Sequence, residues 1–345
     1  LIGSRLKIGA TFLFSLILIS SVFFGSILLL LHEIMKVFKG LEGVQQIKKP
    51  VITIGTFDGV HLGHQKIIEN LLNEADAVGG ESVLMTFSPH PRMVLFPDAH
   101  NLQLIQTEEE KFKKLATTGV ENCIIFPFTF EFSRLSAMEF VRDILVNTLN
   151  IHTIIIGYDH QFGRNREGNI NYLKEVSSIY DFQAVEIPAK EIDEVNVSST
   201  KIRRAILDGD IELANQYLGN PYILTGIVVK GNQIGRTIGF PTANLSIGDS
   251  TKIIPCNGVY LVHIRYRNVL MNGIMNIGVR PTIGDSFENR IEIHIFDFNE
   301  DIYGQELQVL VIKKVRNEAK FDSVQQLAIQ IEEDVRFARD FFISS

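Results

Sequence analysis

Only two cysteines occur in the chain, Cys123 in "NCIIF" and Cys256 in "IIPCNGVY". That is too few for a disulfide framework or a thiolate metal site, and both are expected inside the protein as small apolar groups. Basic residues are also short: 33 Lys and Arg against 40 Asp and Glu leave a formal charge of -7. With no dense Lys/Arg stripe to offset it, that balance argues against a nucleic-acid partner. Internal repeats are missing, and no low-complexity tract follows residue 34. At roughly 150 residues per domain, the chain is long enough for two domains that each bury a core.

Long apolar runs are confined to one place. Ile8 to Leu31 carries no charge over 24 residues, enough to cross a bilayer. The run exceeds the apolar core of a secretory signal, and no small-residue cleavage site follows it. The sequence begins with Leu1, whereas Met35 opens "MKVFKGLEGVQQ" just ahead of the first patterned strand. The expectation is that residues 1–34 are an upstream extension outside the working protein, with a membrane anchor or a processed signal as alternatives. Arg5 and Lys7 before the run, and Lys36 and Lys39 after it, leave its orientation unreadable. The expected place of work is the cytoplasm, or the membrane surface if residues 8–31 anchor the chain.

From Met35 to about residue 220 short apolar runs alternate with helical patterns. "VITIG", "ESVLMTF", "ENCIIFPF", "IHTIIIG" and "FQAVEIP" read as strands, and Ile67, Ile68, Leu71, Leu72, Ala75 and Val78 give one intervening helix a three- to four-residue rhythm. This order predicts an α/β domain, a Rossmann-like parallel sheet covered on both faces, over residues 35–220. Three polar loops, after the first, second and fourth runs, should converge at one sheet edge, where such sheets bind ligands. A Gly-Asn-Pro stop at residues 219–221 predicts the domain boundary. Over residues 221–345 the period shortens to 2: "ILTGIVVKG", "GVYLVHIRYR", "VLMNGIMNIG", "RIEIHIFDF" and "ELQVLVIKKV" predict a small antiparallel barrel. A C-terminal helix follows, with Ser323 and Gln326 as a capping-box pair and Val324, Leu327, Ile331, Val335 and Ala338 as its apolar face.

The stretch "TIGTFDGVHLGHQKII" sets two imidazoles, His61 and His64, three residues apart where a strand gives way to a helix. Gly63 removes a side chain where a ligand would approach, and the first-turn amides favour phosphate. Two imidazoles there can donate to phosphoryl oxygens as charge builds during substitution at phosphorus. Metal ligation by His61, His64 and His90, or a purely structural role, are the competing readings. Further on, "VSSTKIRRAI" brings hydroxyls from Ser198, Ser199 and Thr200 together with Lys201, Arg203 and Arg204, either a second half of a phosphate site or a solvated helix cap.

These motifs carry a resemblance. "GTFDGVHLGHQKII", "TFSPHP", "GYDHQFGRNREG" and "VSSTKIR" resemble the adenylyltransferase half of the bifunctional bacterial riboflavin kinase/FAD synthetase family. "GRTIGFPTANL", "NIGVRPT" and "EIHIFDF" are similar to its kinase half, and the likeness covers nearly all of residues 35–345 in the family's order. HxGH alone marks a broad class of nucleotidyltransferases; its combination with PTAN is far more specific. The resemblance implies an enzyme that phosphorylates riboflavin to FMN in the barrel and transfers AMP from ATP to FMN in the sheet domain, with Mg²⁺, and has small molecules as its partners. It implies that Gly55, Phe57, His61, Gly63, His64, Ser198, Ser199, Thr200 and Arg203 handle ATP phosphates, and that Asp159 and Arg166 lie in an adenine and flavin-side loop. In that loop the family reads Gly-x-Asp-Phe-Arg-Phe-Gly, and this chain has His160 and Gln161 instead of Phe and Arg. The departure leaves open a kinase whose adenylyltransferase is impaired; a flavin- or nucleotide-binding sensor is the rival outside enzymes.

In the second half, Gly235 and Gly239 permit close turns around phosphate, and Thr242 and Asn244, on alternate positions of an extended segment, can serve one Mg²⁺ ion. The same segment also reads as a glycine-rich hairpin; it lacks the Gly-Lys-Ser/Thr ending of a Walker loop. Glu292 shares a strand face with His294 and Phe296, and the resemblance assigns it the general base. An outward solvated glutamate is the plainer reading. Asn276 should border the same cavity, and Arg316 and Phe321 form either a flap over the flavin or a simple connector.

Overall fold

The computed structural model describes residues 35–96, 102–188, 197–231, 235, 238–281 and 287–344. The apolar run before Met35, with the anchor question it raises, lies outside them. Among the described residues no helix is long and apolar enough to cross a membrane.

Six parallel strands build the first sheet: β1 (Lys36–Lys39), β2 (Val51–Ile54), β3 (Ser82–Ser88), β4 (Asn122–Pro127), β5 (Thr153–Gly157) and β6 (Gln183–Ile187), in the order β1-β4-β3-β2-β5-β6. Both faces are covered, which is why the runs are apolar throughout. Val83, Met85, Ile154 and Ile156 face one core cluster, and Val51, Leu84, Cys123 and Ile155 face another. Helix α1 (Leu62–Val78) lays Ile68, Leu71 and Ala75 on the sheet and stops at Gly79, which takes the left-handed conformation at φ 62. The chain winds from β2 to β3 and β4, then returns to the other side of β2 with β5. The switch point, and hence the crevice, lies at the carboxyl end of β2. β1 was not among the expected strands. Its sequence, Lys-Val-Phe-Lys, has no run to announce it, and only pairing with β4 makes it a strand.

The second sheet is a closed barrel of β7 (Tyr222–Val229), β8 (Ala243–Ser246), β9 (Gly258–Tyr266), β10 (Val269–Pro281), β11 (Phe287–Ile295) and β12 (Glu306–Arg316), ordered β10-β11-β8-β7-β12-β9 with β9 closing on β10. The expectation of five strands misses β8, the four-residue strand Ala-Asn-Leu-Ser that begins within the PTAN motif and inserts between β7 and β11. Helix α2 (Glu108–Ala116) follows β3, and α3 (Ser199–Asp208) and α4 (Ile211–Leu218) precede the barrel. Helices α3 and α4 bury Ile202, Ile206, Ile211 and Leu218 in the same cluster as Leu224, Ile253, Tyr260 and Val311 of the barrel. The C-terminal helix α5 (Val324–Ser344) lies outside it, with Val335, Ala338, Phe341 and Phe342 packed on Val259, Leu261, Ile274 and Phe296. Its start differs in detail from a capping box: Ser323 accepts from the Gln326 amide, but the Gln326 side chain reaches the Asp322 amide. Burial pushes the Cys123 thiol up to about 12, as befits an apolar interior group. Cys256 is only half-buried, 3.0 Å from Lys314 Nζ, contrary to the expectation of an interior residue.

Candidate active sites

The loop leaving β2 is bent against its own preferences. Phe57 has φ 50, Gly59 φ 89 and Val60 φ 38, and a β-branched residue at positive φ is strained. Burial holds it there: Phe57 is 2% and Val60 0% exposed. Asp58 fastens the middle, accepting from the amide of Ile105 at 3.0 Å and pairing with Arg203 at 2.5 Å. Phe57, expected at the phosphates, is a core residue whose ring instead backs His64 at 5.1 Å.

His61 is the N-cap of α1, and its Nδ1 accepts from the His64 amide at 3.3 Å. A neutral imidazole accepting at Nδ1 carries its proton on Nε2, so this bond assigns the tautomer. The two rings stack at 3.7 Å, tilted by 16°. Gly63 makes the stack possible, since a Cβ there would stand 3.3 Å from the His61 ring. Gly63 also borders the cavity beside the two rings. Burial, then the Arg203 charge, lowers His61 to about 4, with its own backbone bond opposing. Burial also puts His64 well below 6.5, assisted by His61 and Lys111. Both rings are neutral at pH 7. The Nδ1 of His64 is buried with no hydrogen-bond partner among the described residues.

These rings border a cavity of about 160 Å³ between the ends of β2 and β5, together with Gly157, Asp159, His160 and Val197. His160 thus borders the same cavity as the two imidazoles of the HxGH stretch, and burial lowers it to about 4 while Asp159 opposes. A second cavity of about 190 Å³ opens on the other side of β2, beside β3, with Thr56, Asp58, Ser88, Pro89, His90 and Lys111 in its wall. His90 therefore stands apart from His61 and His64. Among the described residues no group of three or more His, Cys, Asp or Glu could hold a metal.

Several expected phosphate residues occupy structural positions. Ser198 caps α3 by accepting from the Lys201 amide, while Ser199 and Thr200 lie within its first turn and do not precede it. Ser199 Oγ donates to the Asp58 carbonyl at 3.1 Å, tying α3 to the loop. Arg203 is committed to Asp58 and to the Gln103 carbonyl. Thr200 and Arg166 are exposed and border neither cavity, and Gly55 sits under the Phe57 ring. Sequence reasoning passed over Asp58 and Lys111. Asp58 lies inside the quoted motif, but its partners are far along the chain.

The barrel carries a third cavity, of about 440 Å³, on its outer face beneath the start of α5. Gly235, Thr242, Asn276, Glu292, Arg316 and Phe321 all border it, so six expected residues meet there. Register explains the meeting: Glu292 on β11 stands between Asn276 on β10 and Asn244 on β8. Ile291, Ile293 and Ile295 point into the barrel, which turns Glu292 and His294 outward, as the period of 2 predicts. Asn244 is one step removed from the cavity, pressed against the backbone of Gly231, where a Cβ could not fit. Gly239, at φ 86, supplies the turn before β8.

Arg290, absent from the expected set, joins these groups. Its Nη2 donates to Glu292 Oε1 at 2.6 Å and its Nε to Asn244 Oδ1 at 3.4 Å, and Thr242 Oγ1 donates to the same Glu292 oxygen at 3.5 Å. A hydroxyl, an amide oxygen and a carboxylate converge where a positive charge already sits. Oxygen donors of this kind fit a hard divalent cation. The roof is α5, with Val324, Leu327 and Ile331 over the cavity and Arg316 clamped to Asp334 by bonds of 2.7–3.1 Å. Arg316 also lies 5.9 Å from the Phe321 ring.

Known proteins share this arrangement. The family model for FAD synthetase matches residues 44–201, and that for riboflavin kinase matches residues 218–342. A bifunctional riboflavin kinase/FMN adenylyltransferase of Buchnera aphidicola is 38% identical over 89% of this chain and 99% of its own. The protein of the same name from Escherichia coli K12 is 35% identical over 89% and 98%. A crystal structure from Streptococcus pneumoniae, described as a macrolide-efflux protein, superposes with a TM-score of 0.80 at 34% identity, covering 89% of this chain and 99% of that one. Efflux is said of that protein alone.

Proposed function

The chain belongs to the bifunctional riboflavin kinase/FMN adenylyltransferase family, and we propose from that premise how the three cavities described above divide two reactions. The enzyme makes FMN from riboflavin and ATP, and FAD from FMN and a second ATP. The observation that carries the reading is the pairing of a stacked HxGH site in the sheet domain with a Glu292-centred site on the barrel.

On the barrel, the primary hydroxyl of riboflavin attacks the γ-phosphorus of ATP, ADP leaves, and the hydroxyl proton passes to Glu292. Among the described residues Arg290 and Thr242 hold Oε1 of that carboxylate, and Oε2 is the oxygen that would take the proton. Thr242 and Asn244 would hold Mg²⁺, which neutralises phosphate charge when bound. The flavin lies under the α5 roof, with Phe321, Leu327 and Ile331 as its apolar wall and Asn276 as a polar contact.

In the sheet domain, the phosphate of FMN attacks the α-phosphorus of ATP and pyrophosphate leaves. ATP takes the cavity between β2 and β5, where His61 Nε2–H and His64 donate to the charge that builds on phosphorus. FMN takes the cavity beside β3, with its phosphate at Lys111 and His90. Arg203 acts through Asp58, as a positioning residue. The compartment that this reading proposes is the cytoplasm, where ATP and flavins are drawn on. Incubating the protein with riboflavin, ATP and Mg²⁺ and separating the flavins tests the whole reading: FMN followed by FAD is expected, and FMN without FAD would overturn the sheet-domain half.

A further inference from the structure

One wall of the cavity beside β3 is made by the barrel. Asp249 and Thr251, from the segment after β8, border it together with Lys111 and His90. The segment is bolted to the sheet domain at backbone and side chain. Leu104 and Lys252 form a β-bridge, the Leu104 amide donates to the Thr251 carbonyl at 2.6 Å, and the Ile253 amide donates to the Leu104 carbonyl at 2.9 Å. Lys252, its side chain 0% exposed, donates to Glu110 Oε2 at 2.6 Å and to the Ile105 carbonyl at 2.7 Å. Its ammonium lies 4.4 Å from the Tyr222 ring, and Glu110 Oε1 accepts from the Thr225 amide of β7 at 3.0 Å. A buried pair with both partners bonded in this way cannot slide without stranding a charge. The wall is stiff at its tip as well, because the amide and hydroxyl of Thr251 both donate to Asp249 Oδ1, at 2.8 and 2.6 Å.

We propose that Asp249 and Thr251 complete the FMN acceptor pocket of the adenylyl transfer, with Lys252 and Glu110 as the positioning pair. The inference rests on the reading of that cavity as the FMN site. Its chemistry sorts the two ends of the flavin nucleotide. The phosphate is drawn to Lys111 and kept from Asp249, whereas the ribityl hydroxyls are donors that a carboxylate accepts. The barrel therefore helps to bind the substrate of the other domain.

The test uses the full chain and measures KM for FMN and kcat in FAD formation, with riboflavin phosphorylation as a control on the barrel. Asp249→Asn and Thr251→Val should each raise KM for FMN roughly 2- to 10-fold, the loss of about one net hydrogen bond, with kcat and the kinase reaction unchanged. The charge-neutral double variant Glu110→Gln/Lys252→Met frees the segment without stranding an ion and should raise KM for FMN further while kinase activity persists. Unchanged KM for FMN in Asp249→Asn and Thr251→Val, in a protein that does form FAD, would overturn this inference alone. No FAD from the unaltered protein would overturn the adenylyltransferase reading and this inference with it.

Discussion

A neutral imidazole stabilises a phosphoryl transition state through its N–H dipole, and neutrality follows here from burial: His61 is lowered to about 4 and His64 well below its ordinary value. Because the proposed donors and the proposed base lie in different domains, two substitutions should separate the reactions. His64→Ala is expected to cost FAD formation about 10²-fold or more while FMN formation continues. Glu292→Gln should do the reverse with supplied FMN as the control, and parallel loss of both activities in either variant would remove that residue from its role. Burial of neutral histidines also sets a pH dependence. His61, His90 and His160 each fall to about 4 in the fold, against 6.5 when unfolded. Between those values the unfolded chain binds protons that the folded one refuses, so stability is complete above 6.5 and declines as pH falls toward 4. Urea midpoints at stepped pH should trace this decline, and His160→Phe should make it shallower; an identical slope would show that His160 takes no part. The motif histidines and Glu292 were legible because helix and strand periods place them. Asp58, Lys111 and Arg290 were not, since their importance lies in partners that no local pattern announces; Asp58 meets Arg203 across 145 positions.

At the scale of elements, α5 does two jobs along one apolar stripe. Its second half packs on the barrel, while Val324, Leu327 and Ile331 border the cavity beside Glu292. The sequence showed the stripe but not this division, which depends on where the barrel wall falls away beneath the helix. Arg316 on β12 and Asp334 on α5 pin the junction, and Asp334 is 4% exposed. Asp334→Asn weakens a charge-assisted clamp worth about 1.5–3 kcal/mol and should let the roof tilt. The expected result is a KM for riboflavin raised by about tenfold with FMN adenylylation intact, a shift of about 1.4 kcal/mol. A riboflavin KM that does not move would mean that the roof is not part of the binding site. The elements that escaped the sequence, β1 and β8, are four residues each and owe their extended form to neighbours on the sheet. Runs that are longer, or apolar throughout like the four-residue β2, were visible.

Over the whole molecule, the period change near residue 220 suggests separable halves, yet the interior runs across them. Ile105 from the sheet domain, Ile202 and Ile206 from α3, Ile211 and Leu218 from α4, and Tyr222, Tyr260 and Val311 from the barrel belong to one buried cluster. Periodicity reports which face of an element is apolar but not what covers it, so this shared core was not readable from the chain. An apolar junction of this kind resists the relative motion expected of loosely joined domains. With the Lys252–Glu110 pair at its edge, it couples the unfolding of one domain to the other. Heating should therefore give a single calorimetric transition, with FMN-forming and FAD-forming activities lost together. Ile206→Ala opens a cavity in the shared core, though both reacting centres lie elsewhere, and should destabilise by about 2–5 kcal/mol. The midpoint for inactivation should fall equally for the two reactions, because the substitution weakens the one interior on which both sites are mounted. Two resolved transitions, or a kinase that keeps its midpoint while the adenylyltransferase loses its own, would show that the halves fold independently.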